Sequence, residues 1–592
     1  MYPKIISIMK SFLKYTLASL FALVLFAFLG VVLLGGLAGA AFEAEEVTVK
    51  EKSVLVVPLG ARFQERTEEN PFEELNMPVP FAEVGSIGLL DALRAIRQAK
   101  DDDNIQAICL KGGLAMAGMA TLEELQDAIL DFKKSGKKVY AYGDMYSEGA
   151  YLVASAADSI FLNPVGLVEF NGLRAEVVFL KKMMEKIGVK PLVFRVGQFK
   201  SAVEPFLRDN MSEENRLQLT EYLNSIYEVY LRHIAQNRNK SVGELRAIAD
   251  SMLVRTAEDA RRFGLVTHVA YADEMEASLK KTIGAEDKIN YIPLQKYMKA
   301  KRSAGKASKN RIAVIVAEGE IVDGKGGDGV ISGEEIAKEI KKAREDERVK
   351  AIVLRINSPG GSFFASDKMW REVTLTKGVK PIVASMSDLA ASGGYYMAMN
   401  CDTIVARPTT LTGSIGIFGV LFEANQLLND KLGITTEQVT TGPYADLGNP
   451  TRPMREDEKA IIQAQIERGY EIFTTKAAEG RGMPREELLK VASGRIWSGV
   501  QAKARGLVDV LGSYDDAVRI AAQMAGIGDD YRVRFYPRQK PWIEKLLGSG
   551  SGVKNAMLEA MKEYRLLLAP IEKVKRWQGV QARLPFELRF LW

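Results

Sequence analysis

Short apolar runs alternate along most of this chain with longer stretches whose apolar positions recur every three to four residues. IQAICL (105–110), KVYAYG (138–143), RIAVIVA (311–317), VKAIVLRI (349–356) and PIVASM (381–386) are near-continuous in apolar character. That is the pattern of strands covered on both faces, as in a parallel sheet. GEEIAKEIKKARED (333–346) carries apolar residues on one helical face only. Such alternation predicts βαβ units and an α/β fold. One segment departs from it. Tyr15 to Phe42 holds no charged residue over 42−15+1 = 28 positions, enough for a helix to cross a hydrocarbon core of about 30 Å.

The patterned part is written twice. NIQAICLKGG with Ala107 matches RVKAIVLRINSPGG with Ala351, a register of 351−107 = 244, and Asp158 matches Asp402 at 402−158 = 244. RRFGLV at Gly264 later pairs with KARGLV at Gly506, where the register has drifted to 506−264 = 242. A duplicated domain is the simplest reading. Its two copies differ at one telling pair of positions. Ser392 in LAASGGYY falls opposite Glu148, and Lys200 in VGQFKSAVEPF falls opposite Tyr444 or Ala445. Neither copy keeps both a serine and a lysine.

Four segments follow: a cytoplasmic N-terminus and membrane anchor over 1–45, a first copy over 46–300, a second over 301–535, and a tail over 536–592. The basic, small-residue-rich stretch from Lys296 to Lys309 reads as a solvated linker. Residues 61–82, rich in charge and proline, read as a mobile loop or partner arm. After GSGSG (548–552) the tail ends in FELRFLW; docking on the body suits its aromatic residues Trp577, Phe590 and Trp592 better than a headgroup contact. Lys4, Lys10 and Lys14 precede the apolar run and Glu43, Glu45 and Glu46 follow it, so the positive-inside rule leaves both copies outside the cytoplasm. A cleaved signal peptide, with AGAA at 38–41 as its site, is the rival reading. The run is about twice a signal-peptide core in length, which favours an anchor.

Composition excludes several function classes. With 80 Lys plus Arg against 75 Asp plus Glu spread along the chain, nucleic acid is not the expected partner. Cys109 and Cys401 each sit in an apolar setting and read as buried thiols. His233 and His268 are the only histidines, 35 residues apart, so neither a histidine-based triad nor a zinc site has ligands to draw on. No metal or cofactor is expected.

The candidate chemistry lies where the copies differ. Ser392 stands where an apolar strand gives way to an apolar helix, flanked by small residues that leave its hydroxyl and the following amides accessible. Tight packing alone is the bland account of such a serine. Ala390 occupies the first glycine position of a nucleophile elbow, so an α/β-hydrolase is disfavoured. A serine without histidine can be activated by a neutral lysine. Lysine's ordinary pKa near 10.4 must then fall by about three units, a difference of about 4 kcal/mol that burial has to impose.

At these residues the chain resembles the signal peptide peptidase A, or protease IV, family in its long duplicated form. The resemblance covers nearly everything from the anchor to about residue 535. It implies two tandem crotonase-like (ClpP-like) domains behind an N-terminal transmembrane helix, and a membrane-anchored serine endopeptidase using a Ser-Lys dyad. Ser392 in ASGGYY matches the family's nucleophile, Lys200 in FKSAVEPF its general base, and Ser414 in LTGSIG the serine that orients the lysine. Gly361 in NSPGGS and Gly393 match the residues whose backbone amides form the oxyanion hole. The resemblance also implies hydrophobic peptide substrates such as remnant signal peptides, lipid contact through residues 16–42, a homotetramer, and a single-pass location in the bacterial inner membrane with periplasmic catalytic domains. Two alternatives share some of these features: a crotonase-type acyl-CoA enzyme, and an inactive membrane-tethered scaffold.

Overall fold

The computed structural model describes residues 47–67, 86–286, 288–300, 308–324, 326, 329–538 and 579–583, with scattered helical positions between 14 and 26. Most of the apolar run from 15 to 42 therefore lies outside the described residues. Among those described, no helix is long and apolar enough to cross a membrane.

The first copy contributes β1 (Ser53–Pro58), β2 (Ile105–Gly113), β3 (Lys138–Tyr146), β4 (Ser159–Val168), β5 (Lys190–Arg195), β6 (His268–Val269) and β7 (Asn290–Pro293). Six of them form a wholly parallel sheet in the order β6–β4–β3–β2–β1–β7. The second copy contributes β8 (Arg311–Glu318), β9 (Glu320–Val322), β10 (Val330–Ser332), β11 (Val349–Ser358), β12 (Gly360–Ser362), β13 (Ile382–Ala391), β14 (Thr403–Ala406), β15 (Leu411–Gly413), β16 (Phe418–Glu423), β17 (Ile496–Ser498), β18 (Val510–Leu511) and β19 (Arg532–Tyr536). Its main sheet runs β17–β15–β13–β11–β8–β19, parallel except where β17 meets β15. The central strands are buried on both faces, as their apolar runs require. Helix Gly333–Glu345 shows why the charged stretches pack as they do: Ile336, Ile340 and Ala343 recur on one buried face, and the Ser332 hydroxyl caps the start by accepting from the Glu335 amide.

A third sheet joins the copies. Its order is β10–β9–β12–β20–β16–β5, where β20 (Gly579–Arg583) comes from the C-terminal tail. First-copy β5 pairs antiparallel with second-copy β16 over six residues, from Lys190 opposite Glu423 to Arg195 opposite Phe418. Leu192 and Phe194 of β5 thereby enter the second copy's core.

Buried polar contacts reinforce the junction. The Arg355 guanidinium of β11, fully buried, pairs with Glu65 at 2.8 Å and with Glu124 at 3.0 Å, both from the first copy. Thr121 donates its amide and hydroxyl to Asp388 at 2.9 and 2.6 Å. The start of the expected arm is thus no mobile loop: Phe63–Gln64 pairs with Ile87–Gly88, and Glu65 is buried against Arg355. Residues 68–82 lie outside the described set. The expected linker also begins as structure. Helix Leu294–Lys299 docks Tyr297, whose hydroxyl donates to Asp102 at 2.9 Å, because one aromatic side chain among basic residues has enough apolar surface to be held. Trp577, Phe590 and Trp592 are outside the described residues, while residues 579–583 of the tail lie against the body as β20.

Candidate active site

Ser392 occupies the single-residue turn between β13 and the helix Gly393–Ala398, with φ 55° and ψ −112°. A non-glycine residue held there costs of order 1–3 kcal/mol, so the surroundings must enforce it. Its amide donates to Gly413 O at 2.8 Å, and its carbonyl accepts from the Tyr396 amide at 2.8 Å. The following glycines are required by close packing. A Cβ on Gly393 would stand 2.6 Å from Ser366 Oγ, and one on Gly394 would stand 2.9 Å from Ser358 O.

Lys200 arrives from the other copy. After β5 the chain turns at Gly197, and the Phe199 amide donates to Ser493 O at 3.1 Å. This delivers a fully buried lysine whose Nζ lies 2.8 Å from Ser392 Oγ, 3.0 Å from Ser414 Oγ and 3.1 Å from Ser414 O. The Phe418 ring centroid lies 5.9 Å from the same Nζ. Burial holds the amine well below lysine's ordinary pKa, and no carboxylate opposes that shift. Ser392, Ser414 and Ser493 are three of the six described non-glycine residues with positive φ, so backbone strain is concentrated around Lys200.

Two neighbours of the lysine went unread in the sequence. A Cβ on Gly494 would stand 2.6 Å from Lys200 Cβ, and one on Gly416 would stand 3.2 Å from Lys200 Cδ. Gly494 is a glycine because the lysine passes there, and Gly416 first because Gly494 does, since its Cβ would stand 2.9 Å from Gly494 Cα. Nothing in GRIWSGV or SIGIF signals this; only the fold brings these backbones against Lys200.

The glycine loop before β12 faces the same turn. Ser358 Oγ donates to Gly319 O at 2.7 Å and accepts from the Gly360 amide at 3.1 Å, which pins the loop. Gly360 has φ 94°, and a Cβ there would stand 2.7 Å from Gly393 N; one on Gly361 would stand 2.0 Å from Ile321 O. Gly360 is thus a near neighbour of the Gly393 amide, a closeness the sequence did not reveal. Among the described residues, no group of His, Cys, Asp and Glu is arranged to hold a metal ion.

Comparison with known proteins matches the sequence of both copies to a family. The model of peptidase family S49 matches residues 131–286 and again 374–528, once in each copy. The chain is 38% identical over 494 residues to "Protease 4" of Salmonella typhi, covering 82% of this chain and 79% of that protein. It is 35% identical over 513 residues to "Protease 4" of Haemophilus influenzae, covering 83% and 82%. It is 34% identical over 497 residues to "Serine protease SPPA, chloroplastic" of Arabidopsis thaliana, covering 82% and 72%. The chain belongs to peptidase family S49. As a member, it is a serine endopeptidase built from two S49 domains.

The first S49 domain holds different groups at the positions matching Ser392 and Ser414. Glu148, at the position matching Ser392, is buried, and one carboxylate oxygen accepts from the Asn171 and Gly172 amides at 2.8 and 2.7 Å. Burial raises that carboxyl group's pKa against the pull of those bonds. Phe170, at the position matching Ser414, packs edge-on against Tyr151. Where the second domain has two hydroxyls beside Lys200 Nζ, the first has a carboxylate tied to backbone amides and an aromatic ring.

Proposed function

We propose that this S49 peptidase works through a Ser-Lys dyad assembled from both copies. The observation that carries the reading is the 2.8 Å approach of Lys200 Nζ to Ser392 Oγ inside a fully buried site without a counter-charge. A neutral amine has two N–H groups and one lone pair, matching the three contacts around Nζ. The N–H groups donate to Ser414 O and Ser414 Oγ, and the lone pair accepts the Ser392 O–H. Ser414 therefore orients the base.

On substrate binding, Lys200 takes the Ser392 proton as Oγ attacks the scissile carbonyl carbon. The oxyanion is held by the amides of Gly361 and Gly393, and removing one such donor typically costs about 3 kcal/mol. Lys200 then passes the proton to the leaving amine. Water, deprotonated by the same lysine, hydrolyses the ester on Ser392.

The dry surroundings that keep Lys200 neutral suit extended hydrophobic peptides, and remnant signal peptides are the substrate class we assign. The protein is anchored by residues 16–42 in the bacterial inner membrane, its two crotonase-like domains on the periplasmic side, and works as a homotetramer. The uncharged run from 15 to 42 and the charges flanking it support the anchor.

The test is a fluorophosphonate probe together with a quenched hydrophobic peptide. Ser392→Ala should lose both labelling and turnover, and Lys200→Ala should lose turnover to the same degree as the double variant, since residues acting as one unit are not additive. More than a few per cent of activity in folded Lys200→Ala would overturn the dyad.

A further inference from the structure

The tail strand β20 is inserted between two strands that border the candidate site. It is antiparallel to β12, with Gly360 opposite Arg583, Gly361 opposite Ala582 and Ser362 opposite Gln581. On its other edge it is antiparallel to β16, with Phe418 opposite Gln581 and Gly419 opposite Val580. Both flanking strands belong to the site, since β12 carries Gly361 and β16 carries the Phe418 ring beside Lys200. Strand addition of this kind reads the backbone and leaves side-chain pockets to set specificity.

The register sets which residues of β20 lie beside the glycines. A Cβ on Gly360 would stand 2.2 Å from Ala582 O, and one on Gly393 would stand 2.9 Å from the same oxygen. Ala582, fully buried, thus has its carbonyl oxygen beside Gly360 and Gly393, and the bond that follows it leads to Arg583. Arg583 is 6% exposed, and its guanidinium donates to the carboxylate of Glu320 in β9, the strand beside β12.

We infer that Glu320 is a specificity-determining residue that selects a basic side chain immediately after the scissile bond. Arg583 occupies the place such a residue takes in a substrate. In that nearly closed setting a cation gains a charge-assisted hydrogen bond, and an anion meets a carboxylate it cannot leave. The inference rests on the Ser392 and Lys200 reading, with Ser392 Oγ bonding to the carbonyl carbon, the C–N bond breaking, and Lys200 protonating the amine of the departing basic residue.

The experiment uses the full chain and internally quenched peptides that carry Gly-Val-Gln-Ala followed by Arg, Gln or Glu. The Arg peptide should exceed the Glu peptide in kcat/KM by roughly tenfold or more, the size of one charge-assisted bond. Glu320→Gln should flatten the series and Glu320→Lys should invert it. Glu320→Lys combined with Arg583→Glu, which restores an ion pair with the chain's own tail, should invert it equally. An unchanged ratio in Glu320→Gln and Glu320→Lys would overturn the inference, as would wild-type protein that cuts none of the peptides. In that last case the fluorophosphonate separates the two failures. Labelling of Ser392 would leave the dyad standing and sink only the role of Glu320, whereas absent labelling would sink both.

Discussion

Gly494 and Lys200 touch backbone to side chain, so closely that a Cβ on the glycine would stand 2.6 Å from the lysine's own Cβ. Gly494 also has φ 80°, a conformation that disfavours any replacement. Lys200 is thereby held in place by a residue that brings no side chain of its own.

Gly494→Ala should lower kcat by roughly 100-fold, because displacing a reacting group by about 1 Å has that effect, while the cooperative unfolding transition survives. Turnover and circular dichroism on one sample check this. Near-normal kcat would mean that the backbone yields without moving Nζ.

Activity on an uncharged peptide should rise with pH through a midpoint well below lysine's ordinary 10.4 as Lys200 loses its proton. Stability has the same sign. The unfolded chain binds this proton more readily than the folded one, so the cost of the buried lysine is full below the folded pKa and fades as pH rises toward 10.4. Lys200→Met should therefore be inactive but more stable, with the gain in Tm larger at pH 7 than at pH 10. Thermal melts at both pH values check it, and a gain that grows with pH would contradict a neutral Lys200.

Ser414→Ala removes one of the hydroxyls within reach of Nζ. Turnover should fall roughly 100-fold, within the range of lost acid–base assistance, while Ser392 still reacts with a fluorophosphonate, only more slowly. Full loss of labelling would make Ser414 part of the nucleophile's activation and not a positioning residue for the lysine.

Arg355→Ala leaves Glu65 and Glu124 buried without their cation. Breaking a buried pair in this way costs about 3–5 kcal/mol, measurable by urea unfolding. Since the pair spans the two copies, turnover should fall with it. A loss below about 1 kcal/mol would mean that water enters the junction.

Glu318 is pushed up to about 8, by burial first and by the Glu65 charge next. Its carboxylate accepts from the Glu65 amide at 3.0 and 3.1 Å. The folded chain then binds this proton more tightly than the unfolded one, so stability declines as pH rises from about 4.5 to about 8 and levels off above. Glu318→Gln should remove that decline, seen as a flatter plot of Tm against pH.

Sequence by itself determined the duplication, the strands and the segregation of Ser392 and Lys200 into different copies. Apolar periodicity and repeat register are local signals, because each strand must hide its own two faces wherever it lies in the chain. The glycines around Ser392 and the lone lysine in FKSAVEPF were legible in the same local way. Tertiary structure alone decided that these two side chains, 192 residues apart, come within 2.8 Å. The six-residue ladder between β5 and β16 does this, and antiparallel pairing leaves almost no mark on sequence because any two strands of suitable length satisfy the same backbone groups. The same reason hid Gly494 and Gly416 behind Lys200, and the seating of Ala582 and Arg583 across the site. Backbone approach and strand partnership are relations between distant segments, and no single segment records them.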